Sequence, residues 1–316
     1  MDMLKGLKVM NMKHIFIVNP AAGVGAAKKV NMSELMQKLK DAGVDYEIHR
    51  TLSKEEVASW IKERASSGEE LRFYAVGGDG TICDVVNAII AFPNAQLAIM
   101  PCGSGNDFVK NFTNIKNFLD IDAQLNGSVE VIDAIKYNDE YCLNMLNIGA
   151  DCDIVVRSGE LRQKGVSSGA ASYAIAAMQI LTKWPKYRFS YTVDGTEHEE
   201  DLMLVAAGNG MFCGGGFKSC PKARLQDGLI DVGFVRPCKG MKFFSLLPKY
   251  HNGTHLDCKL ADEFLVYKQL KEFDLKPLDD CVVSVDGEVS KFKPAHISIV
   301  PSAIKVVVPR GSEIIK

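Results

Sequence analysis

Residues 73–90 of the chain, FYAVGGDGTICDVVNAII, place an apolar run, a glycine-rich turn and a helical pattern in direct succession. Phe73 to Val76 reads as a buried strand that Gly77-Gly78 ends, and Thr81 to Ala91 reads as a helix. Glycines in such a turn let the backbone approach a ligand closely. The amide groups of the turn and of the helix N-terminus suit a phosphate. The stretch therefore predicts a strand–turn–helix unit with an anion site.

Strand and helix patterns alternate on both sides of this unit. Further strands are predicted over His14–Val18, Val44–Arg50 and Leu97–Met100, and further helices over about 26–40, over 54–67 and from Asn106 onward. This order is typical of a parallel sheet with helices on its faces, where ligands bind beyond the carboxyl ends of the strands. We expect an N-terminal α/β domain over residues 13–130.

The pattern changes near residue 130, after which short strand-like runs bounded by turn residues dominate. A helix from about Gly169 to Lys183 interrupts them. Such a pattern is typical of an antiparallel sandwich or half-barrel. We expect a mostly antiparallel β-sandwich domain over residues 131–302, with residues of about 303–316 packing back on the first domain.

The composition excludes several classes of protein. The 316 residues include 37 basic and 39 acidic side chains. The chain therefore lacks the excess of basic charge that is typical of a nucleic-acid-binding protein. No apolar run reaches the ~18 residues that span a bilayer. The chain has nine cysteines and no CxxC pair, a pattern that indicates reduced thiols. Its N-terminus has no apolar signal segment. Together these features predict a cytoplasmic protein. Because Met12 stands directly before the first strand, the sequence leaves open whether residues 1–11 are native.

Three glycine-rich turns follow predicted strands at one edge of the expected sheet: NPAAGVG at 19–25, GGDGT at 77–81 and PCGSGND at 101–107. One such turn alone is most simply a tight strand-to-helix connection. Three on one edge, two of them with an aspartate and a hydroxyl residue, favour a magnesium-phosphate site. No Walker A motif or complete GxGxxG is present, which disfavours a P-loop NTPase and an ordinary NAD dehydrogenase.

The three turns, with PxGSxNDF at 101–108, resemble the catalytic domain of diacylglycerol kinases, and most of all the soluble bacterial lipid kinases of that family. The likeness runs from about His14 to Val308. Later segments that strengthen it are GNG at 208–210, GGG at 214–216, PKA at 221–223, DGL at 227–229 and VDGE at 285–288. GGDGT alone is shared with NAD kinases and phosphofructokinases. The resemblance implies a nucleotide-binding domain of the NAD kinase/phosphofructokinase-like type.

The resemblance also implies roles for residues at matching positions. Asp79 would act through Mg²⁺ near the ATP phosphates, with Asp107 and Asp133 extending a carboxylate network. Glu288 would be the general base, and Asp286 would lie beside the phosphates. Asp227, with the backbone carbonyls of Arg224 and Leu229, would form a second, structural magnesium site. The implied nucleotide-binding set is Asn19, Pro20, Ala21, Ala22, Gly23, Thr51, Gly77, Gly78, Asp79, Gly80, Thr81, Ser104, Asn106 and Asp107.

The residues by themselves permit plainer interpretations. Asp286-Gly287 and Asp227-Gly228 are common turn dipeptides, and Glu288 then reads as a solvated turn residue. Asp133 is different, because a carboxylate within an apolar strand is costly unless it is paired or ligating. Phosphoryl transfer needs positioning and charge neutralisation, and an alcohol acceptor needs a carboxylate to take its proton. The implied residues supply both.

The predicted function is ATP- and Mg²⁺-dependent phosphorylation of a lipid hydroxyl, with diacylglycerol giving phosphatidic acid as the first choice. The enzyme would meet its lipid substrate at the membrane surface through transient, peripheral contact. A NAD kinase or other small-molecule kinase of the same superfamily is one alternative, and a non-catalytic nucleotide- or lipid-binding regulator is another. A homodimer, the acyl chains and the pathway are left open by the sequence.

Overall fold

The computed structural model describes residues 12–19, 30–50, 54–166 and 170–316, which form two compact units. The first unit comprises the described residues up to Asp133 together with Pro301–Lys316, and the second is Ala134–Val300. The division of the chain into domains at residues 130 and 302 stays a prediction.

The described ranges contain sixteen strands and seven α-helices. The strands are β1 (Lys13–Val18), β2 (Tyr46–Arg50), β3 (Leu71–Gly77), β4 (Ala95–Pro101), β5 (Ser128–Tyr137), β6 (Glu140–Cys142), β7 (Met145–Gly149), β8 (Tyr187–Val193), β9 (Thr196–Leu202), β10 (Leu204–Gly208), β11 (Ile230–Val235), β12 (Leu265–Leu270), β13 (Glu272–Pro277), β14 (Val282–Val285), β15 (Glu288–Lys291) and β16 (Ala295–Val308). The helices are α1 (Met32–Asp41), α2 (Lys54–Ala65), α3 (Asp79–Ile89), α4 (Ile121–Leu125), α5 (Ala150–Gln163), α6 (Ala170–Leu181) and α7 (Gly240–Asn252).

The first unit is built on a parallel sheet in the order β2-β1-β3-β4. Strands β3 and β4 are buried along their whole length, which explains their continuous apolar sequences. On one face, Leu35 and Leu39 of α1 pack against Phe16, Tyr74 and other core residues. The sheet holds the ends of β1, β3 and β4 at one edge, so the turns that follow them start side by side.

Residues 301–316 complete the first unit. Val306 of β16 pairs in parallel with Leu97 of β4. Farther on, the Arg310 N–H donates to the carbonyl oxygen of Ala123 at 2.9 Å, and the Thr113 N–H donates to that of Glu313 at 2.8 Å. This segment therefore supports the residues that follow the third glycine-rich turn.

The second unit contains an antiparallel sheet in the order β12-β11-β10-β7-β14-β15. A second antiparallel group joins β13 to β8 and to the first residues of β16, and β8 to β9. The parallel first sheet and the antiparallel second unit confirm the predicted α/β fold class.

Two helices of the second unit depart from the sequence prediction. The stretch around Arg157 and Arg162, for which the sequence predicts no helix, is the helix α5, which packs on α6 through Ile154, Leu161 and Ala176. Its central Ile-Val-Val run favours a strand in isolation, so the helix depends on this packing. Helix α7 was not predicted either, and it contains Pro248.

Two further findings concern the cysteines and the apolar character of the helices. All nine cysteines are free thiols, and seven of them are buried. None of the helices in the described ranges combines the length and the apolar character needed to cross a bilayer.

Candidate active site

The second glycine-rich turn leads from β3 into α3. Gly78 is the N-cap residue of α3 in an extended conformation, and having no side chain it makes no side-chain cap hydrogen bond. A Cβ atom on Gly77 would lie only 2.2 Å from Thr81 Oγ1, so glycine is required for the hydroxyl to fold back here. Thr81 Oγ1 also accepts a hydrogen bond from Asn19 Nδ2 at 3.5 Å. Thr81 therefore connects the end of β1 to this turn.

The second and third turns are in backbone contact. A Cβ atom on Gly103 would lie 2.5 Å from the Cα atom of Gly78, and one on Gly78 would lie 3.2 Å from the Cα atom of Gly103. The Cys102 N–H donates to the Gly77 carbonyl at 2.7 Å. Asn106, in the left-handed region at φ 49°, accepts from the Gly103 N–H at 2.9 Å and donates to its carbonyl at 3.0 Å. Two predicted ligand-binding turns thus form one surface.

Two carboxylates lie against Gly105 in the third turn. A Cβ atom on Gly105 would lie 3.0 Å from Asp79 Oδ2 and 3.5 Å from Asp107 Oδ2. The other oxygen of Asp79 accepts the Phe108 N–H at 3.3 Å. Asp107 also forms an ion pair with Lys110 at 2.5 Å. Gly105 therefore marks the point that two of the three predicted acidic residues of this unit approach.

These residues fit a magnesium–nucleotide group. Mg²⁺ usually takes one or two protein carboxylates and completes its shell with water and phosphate oxygens. Within the described ranges no cluster of three or more His, Cys, Asp or Glu side chains could hold a metal by itself. Asp79 and Asp107 supply one or two such carboxylates, and the N-terminus of α3 and the exposed Ser104 hydroxyl lie on the same turns.

Asp133 has a structural explanation that the sequence did not supply. Its carboxylate is buried and accepts the Ser302 N–H at 2.8 Å. Ser302 adopts φ 52°, so the hydrogen bond supports an uncommon left-handed residue within β16. Part of the cost of burying this carboxylate is offset here, and its place in a magnesium network stays a prediction.

Glu288 begins β15 directly after a two-residue hairpin turn. Asp286 and Gly287 both adopt positive φ, 48° and 95°, as a turn of this type requires. Val285 and Glu288 are opposite each other in the ladder. The Glu288 side chain is exposed, and its role as general base stays a prediction.

Asp286 is the anchor of this hairpin. Its Oδ1 accepts the N–H groups of Asn144 at 3.0 Å and Met145 at 2.9 Å and the Cys142 thiol at 3.1 Å, while Oδ2 accepts the Leu143 N–H at 2.6 Å. Burial raises the pKa of this carboxyl, and the N–H donors lower it in part. The side chain therefore holds the link between β6 and β7. Its predicted place beside the phosphates stays a prediction.

The predicted second magnesium site lies in a tight turn. Asp227 Oδ1 accepts the Leu229 N–H at 3.0 Å, and Gly228 between them has φ 70°. Arg224 directs Nη1 to the Ala223 carbonyl at 2.8 Å. Nearby Asp231 is fully buried and accepts the Tyr267 hydroxyl at 2.7 Å. Burial raises the pKa of Asp231, and the negative charge of Asp227 contributes to the rise.

Five of the predicted nucleotide-binding residues, Pro20, Ala21, Ala22, Gly23 and Thr51, lie outside the described residues. The structure brings together Asn19 with Thr81, Gly78 with Gly103, and Asp79 with Asp107. The sequence missed the buried anchoring by Asp286, although the Asp-Gly turn signal at that position was visible.

The two units match known family models. Residues 13–137 match the diacylglycerol kinase catalytic domain, and residues 145–308 match the YegS C-terminal NAD kinase beta sandwich-like domain. These matches define a kinase with an α/β unit and a β-sandwich-like unit. The chain belongs to the family of diacylglycerol kinases and YegS-like lipid kinases.

Individual relatives cover nearly the whole chain. The diacylglycerol kinase of Bacillus subtilis is 24% identical over 93% of this chain and 95% of the relative. That of Mycobacterium tuberculosis is 27% identical over 93% of this chain and 94% of the relative. A crystal structure of a diacylglycerol kinase from Bacillus anthracis has a TM-score of 0.65 at 21% identity, covering 93% of this chain and 96% of that one. This last likeness confirms the fold.

Proposed function

We propose that this kinase transfers the γ-phosphoryl group of ATP, in the presence of Mg²⁺, to the hydroxyl of a membrane lipid. Diacylglycerol is the proposed acceptor and phosphatidic acid the product. The proposed setting is the cytoplasm, with transient contact at a membrane surface. The observation that carries the proposal is the contact between the turns of Gly78 and Gly103, with Asp79 and Asp107 both against Gly105.

The nucleotide role rests on backbone and carboxylate chemistry. The N-terminus of α3 carries the positive end of the helix dipole, so it favours phosphate oxygens. Asp79 and Asp107 would hold Mg²⁺ directly or through its water shell. When bound, Mg²⁺ neutralises phosphate charge that develops during transfer. Ser104 and Asn19 offer further hydrogen bonds at the same turns.

The acceptor role falls to Glu288. As general base, its carboxylate takes the proton of the lipid hydroxyl while that oxygen forms a bond to the γ-phosphorus and the bond to the departing ADP oxygen breaks. Asp286 is a positioning residue in this scheme. It fixes the hairpin that carries Glu288 through its hydrogen bonds to residues 142–145.

The test is phosphoryl transfer from radiolabelled ATP to diacylglycerol, other lipid alcohols and NAD. We expect Glu288→Gln to lower kcat by roughly 10²–10⁴-fold with little change in the KM for ATP. The matched control is Glu140→Gln, because Glu140 is also exposed and also begins a strand after a two-residue turn. Wild-type kcat in Glu288→Gln would contradict the base assignment.

The same panel separates the alternatives. Transfer to NAD alone would replace the lipid kinase with a NAD kinase, and ATP binding without transfer to any acceptor would favour a regulator. We expect Asp79→Asn to weaken Mg²⁺-dependent ATP binding, measured by calorimetry with a non-hydrolysable analogue.

A further inference from the structure

The solvent-facing side of α7 is apolar at its centre. Met241 is 80% exposed and Phe244 is 53% exposed, and both rank among the large exposed apolar side chains of the described chain. With the exposed Pro248 they follow the spacing i, i+3, i+7, which places them on one side of the helix. Phe243, by contrast, is buried within the second unit. The helix therefore has two apolar sides, and only one of them serves the core.

Trp184 extends this surface. It follows α6 in the left-handed conformation, at φ 53°, which is uncommon for a bulky residue. Its ring meets Phe243 edge-on with centroids 5.7 Å apart and meets Phe244 edge-on at 6.4 Å. We call Trp184, Met241, Phe244 and Pro248 the α7 face. An aromatic pair beside an exposed aliphatic side chain is typical of residues that enter a lipid interface.

Five lysines lie next to the α7 face: two flank Trp184 in the sequence, one precedes α7 and two are within α7. Lys186 pairs with Asp201 at 2.6 Å, and Lys242 pairs with Glu263 at 2.8 Å. Lys183, Lys239 and Lys249 are exposed and form no ion pair within the described ranges. The region thus carries an excess of positive charge, although the whole chain has a net charge of -2. An apolar centre with a basic border is complementary to an anionic bilayer surface.

We infer that the α7 face docks on anionic phospholipid bilayers, with Met241 and Phe244 entering the headgroup–acyl boundary and the lysines contacting headgroup phosphates. This inference rests on the proposed function for its purpose, because a lipid acceptor is presented by a bilayer. The docking itself requires no nucleotide and no turnover. It can therefore be measured independently of catalysis.

The experiment is co-sedimentation of the full chain with vesicles of phosphatidylcholine and phosphatidylglycerol in equal amounts, without ATP. We expect Met241→Ser/Phe244→Ser to weaken binding by roughly tenfold or more, and rising salt to weaken wild-type binding. The matched control is Ile115→Ser, because Ile115 is 43% exposed in the first unit. Thermal unfolding of all variants checks that the substitutions leave the fold intact.

Two further measurements decide between explanations. On a short-chain, water-soluble diacylglycerol the double variant should match wild-type turnover, whereas on vesicles its turnover should fall. Vesicle binding without any lipid phosphorylation would sink the proposed function and leave the docking intact. Equal vesicle binding by wild type and double variant would overturn the docking. A dimer in sedimentation velocity that the double variant loses would also overturn it, and would assign the α7 face to a second copy of the chain.

Discussion

Two Asp-Gly turns in the second unit show how one dipeptide serves different purposes. Asp194 and Asp286 both have φ near 50°, and each is followed by a glycine with positive φ. Asp194 is exposed, and its carboxylate accepts from Lys268 Nζ at 3.3 Å. Asp286 is buried and accepts three N–H groups and a thiol. The Asp-Gly dipeptide is the same in both turns, but the difference arises from residues more than 140 positions away from Asp286.

Replacing each aspartate by alanine separates these effects. We expect Asp286→Ala to lower the free energy of unfolding by roughly 3–5 kcal/mol, because buried N–H groups lose their acceptor. Asp194→Ala also places an alanine in a left-handed conformation, but it removes only a surface ion pair. We therefore expect a loss of about 1 kcal/mol in the free energy of unfolding. Urea unfolding of both variants measures the difference. Equal losses would mean that the buried hydrogen bonds contribute nothing beyond the turn.

At the scale of elements, the candidate site depends on how closely two turns approach. The apolar runs of β3 and β4 and the glycines after them were readable in the sequence. The contact of Gly78 with Gly103 was not, because it depends on the register of two neighbouring strands. Helices α5 and α7 were missed for a related reason: local propensity argues against them, and packing decides their conformation.

Gly103→Ala tests this approach. The added Cβ would lie 2.5 Å from the backbone of Gly78, so we expect a loss of roughly 1–3 kcal/mol in unfolding free energy and weaker ATP-analogue binding. Gly159→Ala is the control, since Gly159 lies inside α5 and its added Cβ would meet no atom within 4 Å. The free energy of unfolding of that variant should rise by roughly 0.5–1 kcal/mol. Unchanged nucleotide affinity in Gly103→Ala, measured by calorimetry, would contradict the assigned role of the two turns.

For the whole molecule, His14 makes stability depend on pH. It is 1% exposed in β1, and its Nδ1 lies 2.9 Å from the Tyr74 hydroxyl. Burial and the charge of Arg72 lower its pKa from 6.5 to about 4. Above pH 6.5 the ring is neutral in the folded and unfolded states, and its contribution to stability is complete. As the pH falls from 6.5 to about 4, the unfolded state takes up the proton first and stability is lost.

The expected loss is about 3 kcal/mol across that range. Burial raises the pKa of Asp151 from 3.8 to about 7, so this group stabilises the fold as the pH falls and opposes the trend. The measurement is therefore a difference: unfolding free energies of wild type and His14→Gln from pH 7.5 to 4.5. The difference in unfolding free energy between the two proteins should change steadily as the pH falls. A constant difference would show that His14 is not the titrating group.

Residues 301–316 have a consequence for how this chain is made. They supply partners for Ala123 and Thr113, and the Asn114 amide reaches the Gly311 carbonyl across 197 positions of sequence. During translation, the N-terminal part of the first unit is synthesised long before these partners. From the end of β4 at Pro101 until residues 301–316 are made, the nascent chain therefore carries an unfinished parallel sheet, and the second unit is synthesised before the first can close. Folding in the simple order of translation, which serves many multidomain proteins, is not open to this one.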